Sequence, residues 1–155
     1  MKYLGLLLSC LLSCVVFAQQ AYNITSPYDP ATVPMSEEKR GEVIKFLMTE
    51  SSQYPGTERE ILVYIPQQYR DTAPACLLVC MDGILYDATT VMDNLIATGE
   101  MPVTIGVFVN PGVVYDEDGE VVRYNRCKEF DSTDDLFSQF IEQEVLARVE
   151  GMKTE

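Results

Sequence analysis

The sequence predicts an α/β fold: a mixed, mostly parallel sheet with helices on its faces. Three observations carry that expectation. Residues 75–81 and 103–109 are continuous apolar runs, as in strands buried on both faces of a parallel sheet. Between them, residues 90–98 set Val91, Met92, Leu95 and Ile96 on one helical face, with Gly99 as a left-handed stop. After them, Phe137, Phe140, Ile141, Val145 and Val149 recur at helical spacing as a broad apolar stripe.

The first eighteen residues stand apart from that fold. Lys2 gives a short basic start, residues 3–17 are apolar apart from glycine and Ser-Cys pairs, and Val16-Phe17-Ala18 precedes Gln19-Gln20. This is the pattern of a secretory signal peptide cleaved after Ala18, with a periplasmic or extracellular destination. The run is short for a membrane span, so no stable membrane anchor is expected. Leu-Leu-Ser precedes both Cys10 and Cys14, as before a lipidated cysteine, but the apolar run continues past both. Residues 19–40 are polar and carry Pro27, Pro30 and Pro34, an extended leader. Asn23-Ile24-Thr25 matches a glycosylation acceptor, for which a bacterial type of export offers no role.

Residues 41–155 form the predicted domain. Residues 43–48 and 60–65 are strand candidates on either side of the turn Tyr54-Pro55-Gly56-Thr57, and the second stops at Pro66. The run 75–81 ends at Asp82-Gly83, and the run 103–109 ends at Asn110-Pro111-Gly112. Residues 113–124 read as a hairpin with an acidic Asp-Gly tip, because the glycine falls at the wrong place for a calcium loop. Ser132 is placed to cap the last helix, with Asp134 and Asp135 in its first turn. No later strand returns to the sheet within the sequence, so the stripe of that helix is expected to lie uncovered.

The net charge is −13, and removal of residues 1–18 takes only Lys2 from the charged set, leaving −14. So acidic a surface repels phosphate backbones and anionic lipid, which argues against nucleic-acid partners. Of five cysteines, Cys76, Cys80 and Cys127 remain after cleavage. Cys76 and Cys80 would lie about 13 Å apart along a strand, too far to bridge, and read as buried small hydrophobes. No cysteine spacing suits zinc and there is no histidine, so neither a metal site nor a thiol enzyme is expected.

Ordered landmarks run from about residue 51. They are Tyr54-Pro-Gly-Thr-Glu-Arg-Glu into Val63-Tyr64-Ile65-Pro66, Cys76-Leu-Leu-Val-Cys-Met-Asp82-Gly83, and Met92-Asp93-Asn94-Leu95-Ile96. Ile105-Gly-Val-Phe-Val-Asn110-Pro-Gly112 follows, then Asn125-Arg126 with Glu129-Phe130-Asp131. Their order resembles the enterochelin-esterase and esterase-D branch of the α/β-hydrolases, which includes feruloyl and acetyl-xylan esterases. The resemblance implies the N-terminal half of an α/β-hydrolase sheet, truncated before the nucleophile elbow.

In that family a strand leading to G-x-S-x-G comes next, and the acid and histidine follow later. None of these is in this sequence, so no catalytic residue is assigned and the chain alone is expected to be inactive. Half of an oxyanion hole remains: the loop after the third strand supplies one N–H, and here Gly83 or Ile84 is the candidate donor. A plainer role for Asp82-Gly83 is to turn the chain after a buried strand. Asp82, Tyr86, Arg126, Glu129 and Asp131 are the substrate-binding candidates, with salt bridging or helix capping as the plainer role for the charged ones. The family's usual tyrosine before the aspartate is Phe130 here, and its usual serine after Asn-Arg is Cys127.

Two functional classes follow. One is part of a secreted serine esterase acting on siderophore esters, or on feruloyl or acetyl esters of polysaccharide, without metal or organic cofactor. The other is a secreted binding module that keeps only the front of the hydrolase fold.

Overall fold

A computed structural model of the chain describes residues 30–152. The signal peptide with Cys10, Cys14 and Ala18, the leader up to residue 29 with Asn23, and residues 153–155 lie outside the described residues. The described end of the leader is not plainly extended. It makes two single 3-10 turns, Pro30–Thr32 and Glu37–Lys39.

Alternating apolar side chains build β1 (Glu42–Met48) and β2 (Arg59–Ile65), antiparallel, with Glu42 opposite Ile65 and Met48 opposite Arg59. The two apolar runs form β3 (Cys76–Met81) and β4 (Thr104–Val109), which pair in parallel. The sheet order is β1-β2-β4-β3, with β2 and β4 antiparallel, so the sheet is mixed and β4 is a central strand. Between β3 and β4 runs α1 (Ala88–Thr98), which ends at Gly99 with φ 78. A left-handed residue there costs a glycine nothing and closes the helix with an N–H to the Ile96 carbonyl.

The period of two in β2 and β4 sorts their side chains onto two faces. Ile61, Val63, Ile105, Val107 and Val109 meet Tyr54, Phe140, Ile141, Val145 and Val149 on one face. Tyr64 and Phe108 meet Met92 and Ile96 of α1 on the other. Asp93 joins that second layer at its rim. Its Oδ1 accepts from the Tyr64 hydroxyl at 2.7 Å and from the Gly41 N–H at 2.7 Å. Burial, then the bond to Asp93, push the Tyr64 phenol well above its ordinary range. Asn94 Nδ2 donates to the carbonyls of Ala31 and Val33, holding the first leader turn on α1.

The apolar stripe of the last helical stretch is covered, contrary to the sequence expectation. That stretch is α3 (Leu136–Phe140), a π-helical turn (Ile141–Val145) and α4 (Leu146–Gly151) in succession. Phe140, Val145 and Val149 are buried against β2 and β4, so the sheet itself supplies the missing cover. Neighbours Phe140 and Ile141 are both buried, although about 100° separates adjacent residues on a regular helix. The wider π turn lies where both must face inward. From the same turn, Glu144 Oε1 accepts from Ser52 N (3.0 Å), Ser52 Oγ (2.6 Å) and Gln53 N (2.9 Å).

Other expectations are corrected. β3 is not buried on both faces: Leu78 and Cys80 pack toward α1, while Leu77, Val79 and Met81 are exposed. An edge strand has one neighbour, and the last helix covers β2 and β4 instead. Accordingly Cys76 is exposed and Cys80 half-buried, so the buried-thiol reading does not hold for Cys76; Cys127 is exposed as well. Ser132 does not cap α3; the helix opens after Asp135, and the Leu136 N–H bonds Asp134 Oδ1 at 3.1 Å.

The hairpin forms as expected from β5 (Val113–Tyr115) and β6 (Val121–Tyr124), with Asp116 Oδ1 accepting from Asp118 N and Glu120 N across its tip. A short helix not anticipated from the sequence, α2 (Arg126–Phe130), follows it. No helix among the described residues is long and apolar enough to cross a membrane.

Candidate functional site

The site candidates gather where β3 and β4 both end. β4 stops at Val109, and residues 110–112 lead the chain into the hairpin that delivers α2. The loop after β3 is unusual in its backbone: Asp82, Tyr86 and Asp87 have φ of 65, 54 and 53, and Gly83 has φ 73. Three non-glycine residues in the left-handed region within six positions are a store of strain, which persists only where the surroundings enforce it. Gly83 is buried with φ 73, which favours glycine, and a Cβ there would come 2.6 Å from Asn110 Oδ1, so a larger residue would also displace that side chain. Ile84 packs into the α1 layer. Among the described residues, no hydrogen bond engages the N–H of Gly83 or Ile84.

Asp82 meets Arg126, the first residue of α2, in a two-pronged pair. Nε donates to Oδ1 at 2.7 Å and Nη2 to Oδ2 at 2.6 Å. The hydrogen bonds from Arg126 hold the Asp82 carboxyl below its ordinary range, and the same bonds raise the guanidinium. Arg126 also lies over the Phe130 ring, 5.7 Å from its centroid. Asp131 is exposed at the end of α2, and its charge adds to the field on Arg126.

Glu129 lies elsewhere than a ligand contact requires. Its side chain is wholly buried, bound at 2.6 Å by Arg59 Nη1 and at 2.9 Å by Arg59 Nη2, and it accepts from the Gly112 N–H at 3.1 Å. A Cβ on Gly112 would come 2.6 Å from Glu129 Oε1 and 2.7 Å from Arg59 Nη2. This pair ties β2, the turn after β4 and α2 together. Arg59 in turn stacks on Phe140, 4.3 Å from the ring centroid.

Among the sequence candidates, Asp82, Gly83 and Arg126 are therefore brought together, Asp131 stands at their side, and Glu129 faces the interior. Tyr86 is 94% exposed, its ring turned to solvent at the outer end of the loop. The sequence reading missed Arg59 and Asn110 as neighbours of these residues. An arginine at the start of a strand, two positions before the buried Ile61 and on the same face, is a signal for a buried partner. Asn110 directly after a buried strand gave none that points at Gly83.

Chemically, the loop offers backbone N–H donors and no nucleophile with a base. The whole sequence holds no histidine, and burial pushes the Cys80 thiol up, away from the thiolate. Among the described residues no group of three or more potential ligands could hold a metal ion. A cavity of about 420 Å³ lies beside Tyr69, Ala75, Cys76, Leu77 and Leu146, at the opposite end of β3 from Asp82.

A family profile described as "Putative esterase" matches residues 52–155. No curated protein matches the sequence. Among solved structures, the chain is similar to a mutant of the feruloyl esterase module from Clostridium thermocellum complexed with sinapinate, at 18% identity and TM-score 0.53. It is also similar to a ferulic acid esterase from Anaeromyces mucronatus in complex with ferulic acid, at 15% identity and TM-score 0.51. The matches cover 83% and 79% of this chain, but only 41% and 47% of those chains. The likeness is one of fold: a partial sheet with flanking helices, as in the N-terminal part of esterase α/β-hydrolases.

Proposed function

Because the chain belongs to the esterase family matched over residues 52–155, we propose that it is the N-terminal part of an exported serine hydrolase of carboxylic esters. In this reading, residues 1–18 are its signal peptide, residues 19–40 its leader and residues 41–155 the front of its catalytic domain. The loop after β3 supplies one half of the oxyanion hole through Gly83 or Ile84. A serine hydroxyl from the remainder of the domain attacks the ester carbonyl and passes its proton to a histidine. The carbonyl oxygen takes up the charge, and a loop N–H stabilises it, worth about 3 kcal/mol for one such donor. The alcohol then leaves with the proton from the histidine, and water releases the acid.

The observation that carries the reading is the strained, buried Gly83 turn with unengaged N–H groups beside it. Such strain at a strand end is a recurrent property of functional loops. Tyr86 is a flat aromatic surface at the rim of the same loop. The similar structures named above are described with sinapinate and ferulic acid, which favours an aromatic acyl group. The preferred substrate is therefore a hydroxycinnamoyl ester of polysaccharide, with acetyl esters and catecholate siderophore esters as the competitors.

The test assays the 155-residue chain and the complete product of its gene side by side, on a methyl hydroxycinnamate, an acetylated xylan and a cyclic catecholate triester. Saturable turnover by the complete product and none by the chain is expected, with the hydroxycinnamate fastest. Failure of the complete product on all three would remove the esterase reading and leave a binding module. Turnover by the chain that vanishes on alanine substitution of one of its serines would overturn the claim that it is inactive alone.

A further inference from the structure

We infer that Arg126 and Asp82 form a positioning clamp that sets the direction of the Gly83 and Ile84 N–H groups, and that they do not bind substrate directly; this rests on the ester-hydrolase reading above. Both oxygens of Asp82 are occupied by the two prongs of Arg126, at 2.7 and 2.6 Å. A two-pronged guanidinium–carboxylate pair fixes orientation as well as distance. Asp82 itself holds φ 65, which an aspartate adopts at a cost, so something must enforce it. Among the described residues, the pair with Arg126 is the side-chain tie on Asp82.

The other jaw of the clamp is rigid. Asn125 N donates to the Gly112 carbonyl at 2.8 Å, and Glu129, one turn into α2, is locked by Arg59 in the interior. Arg126 thus projects from a helix anchored to β2. On the far side of the loop, the Asn110 side chain lies where a Cβ on Gly83 would point. Gly83 follows directly on Asp82, so the direction of its N–H follows from the Asp82 backbone that Arg126 ties. Loosening either jaw lets the peptide plane turn, which for an oxyanion donor removes stabilisation from the transition state alone.

Steady-state kinetics of the complete gene product on a hydroxycinnamate ester tests this. Asp82→Asn and Arg126→Gln are each expected to lower kcat about 10-fold or more while KM moves less than about twofold. The double variant should be no worse than the poorer single one, because both break one tie. Arg126→Lys, which keeps the charge but not the fork, should recover part of the loss. A raised KM with unchanged kcat, or losses that multiply in the double variant, overturns the clamp in favour of direct substrate binding.

If the complete product turns over no ester, the hydrolase reading fails, and the clamp is judged by motion alone. Backbone ¹⁵N order parameters of Gly83 and Ile84 in the 155-residue chain should be near about 0.85, falling below about 0.6 in Arg126→Gln with Val107 unchanged. Asp82→Asn, which breaks the same tie from the other side, gives the same reading should Arg126→Gln lose its fold. Mobile amides in the parent, or amides equally rigid in the variant, overturn the clamp.

Discussion

The molecule contains the same two devices twice, once at its centre and once at its edge. At the centre, the apolar strand β4 is buried along its whole length and the ion pair Arg59–Glu129 has both side chains fully out of water. At the edge, the equally apolar β3 is largely exposed, and the ion pair Asp82–Arg126 keeps 28% and 52% of its side chains accessible. Composition does not distinguish the two strands, and chemistry does not distinguish the two pairs. Their energetic roles differ because of position. A buried pair is costly to form and very costly to break by halves, whereas a surface pair contributes little to stability and is free to serve orientation.

The largest expected effect is at the centre. Glu129→Ala leaves the Arg59 guanidinium buried without its counter-charge and strips an acceptor from the Gly112 N–H. Breaking a buried pair from one side costs about 3–5 kcal/mol. In a domain of ordinary stability that is a large share of the total. Urea unfolding should show a midpoint far below the parent's, or no folded baseline at all. Asp82→Ala, the matching change at the edge, should leave that midpoint nearly in place. Equal losses in the two variants would erase the distinction between the pairs.

Ile105 of β4 and Leu77 of β3 stand directly opposite each other in the parallel register, so they make a controlled comparison between the strands. Ile105 is 6% exposed and Leu77 50%. Ile105→Ala should cost about 2–5 kcal/mol through lost burial and a cavity, and Leu77→Ala about 0.5 kcal/mol or less. Both are read from the same denaturant midpoints. A Leu77→Ala loss as large as that of Ile105→Ala would show that the outer face of β3 is covered in solution.

This contrast also marks what the sequence could tell. The two apolar runs, the helix between them ending at Gly99, and the hairpin at Asp116–Glu120 were legible, because periodicity and turn chemistry are local. Which run lies at the centre was not, since strand order depends on partners far along the chain. The last helix read as uncovered for the same reason: the cover for Phe140 and Val145 comes from Ile61, Val63 and Val107. At the candidate site, the ordered landmarks pointed to Asp82, Gly83 and Arg126, but the meeting of Asp82 with Arg126, 44 positions on, had no local signal. Glu129 belonged to the same polar cluster, but nothing local separates a glutamate facing solvent from one facing Arg59, 70 positions earlier. The short helix α2 was masked because five residues hold too little of a helical period to read.

The smallest expected effect is on the edge pair, and acid and salt should both reveal it. Arg126 hydrogen bonds hold the Asp82 carboxyl below its ordinary value. A carboxylate depressed by folding contributes fully above its unfolded value, and its contribution is lost as pH falls through the lower, folded value. The loop tie should therefore be intact from neutral pH down to the ordinary aspartate range and fade only below it. At neutral pH, added salt should loosen the exposed pair and leave the buried one untouched, since screening acts through water. The Gly83 amide resonance, followed by NMR through both titrations, is the local reporter. It should move with acid and with salt in the parent, and with neither in Asp82→Asn, where the charge is already gone. A Gly83 resonance that moves equally in the variant would mean that the loop is held by something other than Arg126.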